Sequence, residues 1–292
     1  ATTTTLLFKD VAGTADAYTI NFSKDTAGVD AKDVIINGIE SVTVNSLGTT
    51  AAGNNAIELT SNSAKSLVIT GDKAITVTFD TAGFGSATPA DATNGLGVAT
   101  IDASAATGAI TIDTANVNVA FNGLTVKTGS ANDTITLAKK ATVDAGAGDD
   151  TITVSLAGGT LTGGAGKDTF DVALAVAATG ALTEATGVIK TTITAVDAGD
   201  KIKFADKGTE VFNKIKLDVS TASNLDDALD IAFAGNGSTN GIINWFQYAG
   251  NTYIVEDNSA AAITTAGDIV VKINGLVNLT NSTLSGVDLT IA

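Results

Sequence analysis

The sequence predicts an all-β protein: a parallel β-solenoid or β-roll, capped by a small C-terminal β-rich subdomain with one short helix. Three observations predict it. Apolar residues recur at i and i+2 in many runs of three to five residues, so each run is a short strand with one inward face. The 44% hydrophobic content is carried by small and β-branched residues, with 5% aromatic, 31 glycines and one proline, Pro89, in 292 residues; this mixture favours short strands between tight turns. From residue 117 onward the pattern locks into a nine-residue period. We place the solenoid at 1–180, with the roll at about 117–172, and the capping region at 181–292.

In chain order, the short strands are carried by Val42-Thr43-Val44, Ile57-Glu58-Leu59, Leu67-Val68-Ile69, Ile75-Thr76-Val77-Thr78-Phe79, Ile110-Thr111-Ile112, Val117-Asn118-Val119 and Leu124-Thr125-Val126. Apolar residues then fall at Val117, Val126, Ile135, Val143, Ile152, Leu161 and Phe170, in steps of 9, 9, 8, 9, 9 and 9. A short fixed period is the signature of stacked parallel strands, in which each rung buries its apolar side chain against the rungs beside it. After about residue 180 the period dissolves. Asn224 precedes a run that sets Leu225, Ala228, Leu229 and Ala232 on one helical face, with acids in its first turn. Ile242 to Tyr248 and Thr252 to Val255 flank Ala249-Gly250-Asn251 as a β-hairpin. Its aromatics, Trp245, Phe246, Tyr248 and Tyr253, are expected to cover the open end of the solenoid, with a sugar-stacking surface as the competing reading.

Composition narrows the chemistry. Lys plus Arg number 16 against 31 Asp plus Glu, a formal net charge of -15 that repels phosphate backbones and argues against a nucleic-acid partner. There is no His, Cys or Met. A Ser-His-Asp triad, a cysteine nucleophile, an HExxH zinc site and a zinc finger are therefore all excluded within this sequence. Carboxylate pairs alone suffice for a glycosidase, but the aspartates here are explained by turns and metal ligation, and no enzymatic activity is expected. No run of 18 apolar residues and no basic leader with an apolar stretch is present. The chain opens at Ala1 without an initiator Met, which reads as a piece of something longer.

The chemistry concentrates in three nonapeptides. Gly163-Gly164-Ala165-Gly166-Lys167-Asp168-Thr169-Phe170-Asp171 matches GGxGxDxUx at every specified position. Ala145-Gly146-Ala147-Gly148-Asp149-Asp150-Thr151-Ile152-Thr153 loses the first glycine, and Thr128-Gly129-Ser130-Ala131-Asn132-Asp133-Thr134-Ile135-Thr136 loses two. Glycines let the backbone turn tightly and aim carbonyls inward, while the aspartate adds a charged hard-oxygen ligand; oxygen-only ligation is what Ca²⁺ demands. Asp133, Asp150 and Asp168 are 17 and 18 residues apart, one turn of a roll built from two nonapeptides, so the three stack on one side. The intervening loops carry Ala141 and Gly159 at the aspartate position, with Lys139 and Lys140 in one of them, and repel a cation. The expectation is two calcium sites, between Asp133 and Asp150 and between Asp150 and Asp168. Backbone carbonyls of Gly129, Ala131, Gly146, Gly148, Gly164 and Gly166 are the co-ligands, and Asp149 and Asp144 assist from outside. The plainer reading is that Asp-Gly turns merely close strands. Asp80, Asp102 and Asp113 lack glycine loops and are expected at solvated turns.

The nonapeptides resemble the calcium-binding repeats of RTX proteins. Together with Ala198-Gly199-Asp200-Lys201-Ile202-Lys203-Phe204 and the stretch Asn244 to Val255, they resemble the C-terminal region of RTX-type surface-layer proteins of Gram-negative bacteria. Gly38 to Val44 and Ser63 to Gly71 look like the repetitive solenoid of that family. The resemblance implies export by a type I secretion apparatus through an uncleaved C-terminal signal, here ending Gly286-Val287-Asp288-Leu289-Thr290-Ile291-Ala292. It further implies calcium-dependent assembly of identical subunits into a two-dimensional cell-surface lattice, with outer-membrane lipopolysaccharide engaged through an N-terminal part not in this sequence. Two alternatives stand beside it: the RTX export tail of a secreted protease or lipase, and a fragment of an RTX adhesin.

Overall fold

In the computed structural model, residues 3–8, 13–23, 28–48, 53–87, 97–120, 123–175, 189–234, 241–258 and 267–292 are described. The chain forms two compact units, Ala1–Thr151 and Ile152–Ala292. The boundary expected at residue 180 lies outside the described residues.

The first unit is a run of short strands: β1 (Thr4–Thr5), β2 (Ala17–Phe22), β3 (Asp30–Ile35), β4 (Ser41–Ser46), β5 (Asn55–Ser61), β6 (Ser66–Thr70), β7 (Ile75–Phe84), β8 (Thr100–Asp102), β9 (Ile110–Asp113), β10 (Leu124–Lys127), β11 (Thr134–Thr136) and β12 (Ala141–Asp144). Successive strands alternate between two sheets, ordered β1-β3-β5-β7-β9-β11 and β2-β4-β6-β8-β10-β12, with parallel pairing between the described neighbours. Each coil thus contributes one strand to each sheet, as the alternating pattern demands. Register turns the pattern into ladders: Val42, Leu67, Ile101, Val126 and Val143 follow one another across one sheet, and Ile57, Val77, Ile112 and Ile135 across the other. All nine are at most 2% exposed. Burying such a side chain is worth about 1.5–3 kcal/mol relative to leaving it in water, so stacking is the main source of cohesion. Coil length varies: Ser41 pairs with Ser66, Ser66 with Thr100 and Leu124 with Ala141, which are 25, 34 and 17 residues apart.

In the second unit β13 (Thr151–Thr153), which begins at the boundary residue, is followed by β14 (Gly159–Thr162), β15 (Thr169–Asp171), β16 (Thr191–Ile193), β17 (Lys201–Lys203), β18 (Val211–Phe212), helix α1 (Leu225–Phe233), β19 (Ile242–Tyr248), β20 (Asn251–Asp257), β21 (Ile269–Ile273), β22 (Thr283–Ser285) and β23 (Asp288–Thr290). Parallel stacking persists past the end of the nine-residue period. β14 pairs with β16 and β15 with β17, each across a 32-residue coil. Phe170, Ile202 and Leu289 form one ladder, and Leu161, Ile193 and Ile273 another, all fully buried. The C-terminal hairpin β22–β23 then lies antiparallel on β17, so the last strands of the chain are part of the fold.

The helix forms where the sequence placed it. Asn224 accepts the Asp227 N–H at 2.9 Å, and Asp227 Oδ2 accepts the Ser223 N–H at 2.9 Å, a reciprocal cap. Leu225, Ala228, Leu229 and Ala232 are buried as predicted, joined by Phe233, against Phe246, Tyr253, Val255 and Val270. The hairpin turn is two residues, not three: Ala249 and Gly250 have φ of 46° and 80°, the left-handed pair that suits the twist of a tight hairpin. Trp245, Phe246 and Tyr253 are buried, the last two stacked 5.1 Å apart at 11°. These three rings are core and offer no face for stacking a sugar. Among the described residues no helix is long and apolar enough to cross a membrane.

Candidate metal centre

The aspartates of the nonapeptides sit at the turn leading from one sheet into the other. In the first unit Asp133 immediately precedes β11, 2% exposed. Its Oδ1 accepts the N–H of Ile110, one coil back, at 2.7 Å, and its Oδ2 accepts the Gly129 N–H at 3.1 Å. The Asp133 N–H in turn donates to Asp150 Oδ1 at 2.7 Å, and Asp150 is 1% exposed. Asp133 and Asp150 therefore stack on successive coils, each carboxylate receiving an amide from the coil before. The second unit repeats the device: the Asp168 N–H donates to Asp200 Oδ1 at 2.9 Å and the Asp197 N–H to Asp200 Oδ2 at 2.8 Å. Of the two expected sites, the first unites residues of one unit; the second draws Asp150 from the first unit and Asp168 from the second.

The glycines let the turns nest. At Gly146, φ is 94° and an added Cβ would lie 2.2 Å from the Gly129 carbonyl oxygen; at Gly148, φ is 124° and the same atom would lie 2.5 Å from the Ala131 carbonyl oxygen. Peptide groups of successive turns are thus packed face to face, and the Ala147 N–H donates to Gly129 O at 2.9 Å. In the second unit a Cβ on Gly163 would strike Asp168 Oδ2 at 2.0 Å, so that glycine makes room for the carboxylate, while Gly164 and Gly166 are exposed at positive φ. Asp149 and Asp144 are exposed, and the Asp149 N–H donates to Asn132 Oδ1 at 2.9 Å. Lys139 and Lys140 are exposed, and Lys139 Nζ donates to Val117 O at 3.1 Å.

Burial pushes the Asp133 carboxyl above the usual carboxylate range, outweighing the opposing hydrogen bonds from Ile110, Thr128 and Gly129. Burial raises Asp200 as well, with the Asp197 charge adding to it and the amides of Asp197 and Asp168 opposing. Such buried anions are relieved by a nearby cation. The donor set fits a hard cation: carboxylate and peptide oxygen, without nitrogen or sulfur. It is sparse in charge, because among the described residues no group of three or more acidic side chains is placed to hold a metal. A calcium ion here would take two carboxylates and complete its shell with glycine-loop carbonyls and water.

Sequence reasoning missed Asp200. The signal was present as Asp200-Lys201-Ile202, aspartate two residues before an inward apolar residue, but the 32-residue coil hides it from a nine-residue count. It also missed Asn55, which is 1% exposed, accepts the Val29 N–H at 2.9 Å and donates to Ser46 Oγ at 2.9 Å. A neutral side chain there does the same amide-capping work without charge. Asp80, Asp102 and Asp113 close Asx turns onto Ala82, Ser104 and Ala115 at 2.7, 3.0 and 2.9 Å. No family model matches the chain, and no curated protein matches it.

Proposed function

We propose that the chain is a structural, calcium-stabilised portion of a bacterial surface layer, exported by a type I secretion apparatus and assembling with identical subunits outside the cell. The observation that supports it most is the Asp133–Asp150 stack: two buried carboxylates on successive coils, bordered by turns whose glycines bring peptide oxygens within contact distance. Asp133 and Asp150 would hold calcium with carbonyls of Gly129, Ala131, Gly146 and Gly148; Asp168 with Gly164 and Gly166 forms the corresponding half in the second unit. Bound there, calcium supplies the positive charge that the acidic turn lacks. The chain's own residues do the rest: the aspartates fix coil register by accepting amides, and the glycines keep the turns thin enough to stack.

The role is one of folding. Extracellular calcium modules bind near 10⁻⁴–10⁻³ M, and at about tenfold excess each site adds about 1.4 kcal/mol to the folded state. A chain with a net charge of -15 gains further when calcium bridges acidic edges of neighbouring copies. The lack of His and Cys, with aspartates occupied as turn caps, supports a non-catalytic role. The test is calcium titration followed by light scattering and electron microscopy. Sheets that form with calcium and dissolve in chelator are expected; a monomer indifferent to calcium refutes the reading.

A further inference from the structure

The second unit buries a carboxyl that the proposed function does not use. Glu256, on β20, is fully buried. Its Oε2 accepts Asn258 Nδ2 at 2.9 Å and the Ala205 N–H at 3.3 Å, while its Oε1 is shut off from solvent and meets no donor among the described residues. Asn258 supplies the matching half. Its Nδ2 is committed to two acceptors, Glu256 Oε2 and Gly267 O at 3.0 Å, so turning the amide over would set oxygen against oxygen. That leaves Asn258 Oδ1 also buried without a donor among the described residues. Its backbone is pinned, because the Asn258 N–H donates to Asp268 Oδ1 at 2.8 Å. Two hydrogen-bonded side chains thus present two buried acceptors that no donor among the described residues serves, a costly arrangement for an ionised carboxylate.

We propose that Glu256 holds a proton in the folded chain, its Oε1–H serving the acceptor that Asn258 Oδ1 offers in the same pair, so that the second unit is a proton-linked element. The surrounding charges are few and mixed. On its own strand the neighbouring Asp257 alternates to the other face. Asp268, just before β21, accepts the Asn258 backbone N–H, and Lys272 lies further along β21. On the segment after β17, Asp206 and Lys207 are exposed and Glu210 half-buried; Lys207 favours the ionised form and Glu210 opposes it. Burial outweighs these and pushes Glu256 up to about 7. Glu256 in the unfolded chain ionises from its ordinary value of 4.5 upward, whereas the folded chain retains the proton until about 7. Stability from this group is therefore lost as pH rises from 4.5 through about 7, and the loss is constant above that.

Trp245, the chain's single tryptophan, lies on β19 beside β20 and reports on this unit. Urea unfolding of the full chain followed by its fluorescence, between about pH 4.5 and 8.5, compares wild type with Glu256→Gln. The amide of the variant donates where the proton sits and does not titrate. The unfolding equilibrium of wild type should rise relative to the variant on the order of a hundredfold across that range, with the variant the more stable at alkaline pH. Parallel pH profiles overturn the proposal, as expected if a buried water or cation fills the gap and leaves Glu256 ionised. Should the variant fail to fold, a carbon NMR titration of the Glu256 carboxyl in wild type decides: a midpoint near 7 supports the proposal, and one in the ordinary carboxylate range overturns it.

Discussion

Asp133 offers the sharpest perturbation, because its two oxygens serve two different amides. In Asp133→Ala both Ile110 N–H and Gly129 N–H lose their acceptor in a site 2% exposed. Each orphaned buried donor costs about 1–3 kcal/mol, so the variant should lose about 2–6 kcal/mol in chelator. Asp133→Asn keeps an oxygen for Ile110 but sets an NH₂ against the Gly129 N–H. It also removes the charge whose burial is unfavourable, so its loss should be smaller, about 1–2 kcal/mol. Amide hydrogen exchange by NMR separates the two contacts. The Asn variant should lose protection at Gly129 and keep it at Ile110; the Ala variant should lose it at both, roughly thirtyfold for each 2 kcal/mol. Unchanged protection at both amides in Asp133→Ala would refute the capping role.

Gly146→Ala should destabilise by about 1–3 kcal/mol in a thermal melt, because its φ of 94° and the carbonyl 2.2 Å from the new Cβ both resist it. Phe170→Ala, at the fully buried centre of a ladder, should cost about 3–5 kcal/mol by urea denaturation. Asn224→Ala removes the acceptor of the Asp227 N–H and should cost about 1 kcal/mol, read from Trp245 fluorescence. Asp200→Ala should deprotect the Asp168 and Asp197 amides in hydrogen exchange, marking it as the residue that caps the Asp168 coil in the second unit.

The solenoid was legible because two-residue alternation reports which side chains face inward, and inward burial is what stacks the coils. Val126, Ile135 and Val143 were readable from spacing alone, since coils of fixed length keep register visible in the sequence. Between Ser66 and Thr100, or Thr169 and Lys201, longer coils pair in the same way, yet nothing in a linear count reveals it. The nonapeptide aspartates were readable for the same reason that Asp200 was not. The helix was legible from its cap and apolar face. The hairpin turn was read one residue too long: Asn251 looks like turn material by type, but it is the first paired residue of β20, opposite Tyr248. Glu256 left no trace in the sequence, because the Ala205 amide that meets its carboxyl comes from 51 residues earlier in the chain.

The most direct measurement of the central claim is a calorimetric titration of calcium into the full chain beside Asp133→Asn/Asp150→Asn. Stacked buried carboxylates that hold calcium predict saturable binding in wild type, weakened at least about tenfold in the double variant. Equal binding by both chains, or none by wild type at calcium well above about 10⁻³ M, would contradict it and leave the aspartate column as a purely amide-capping device.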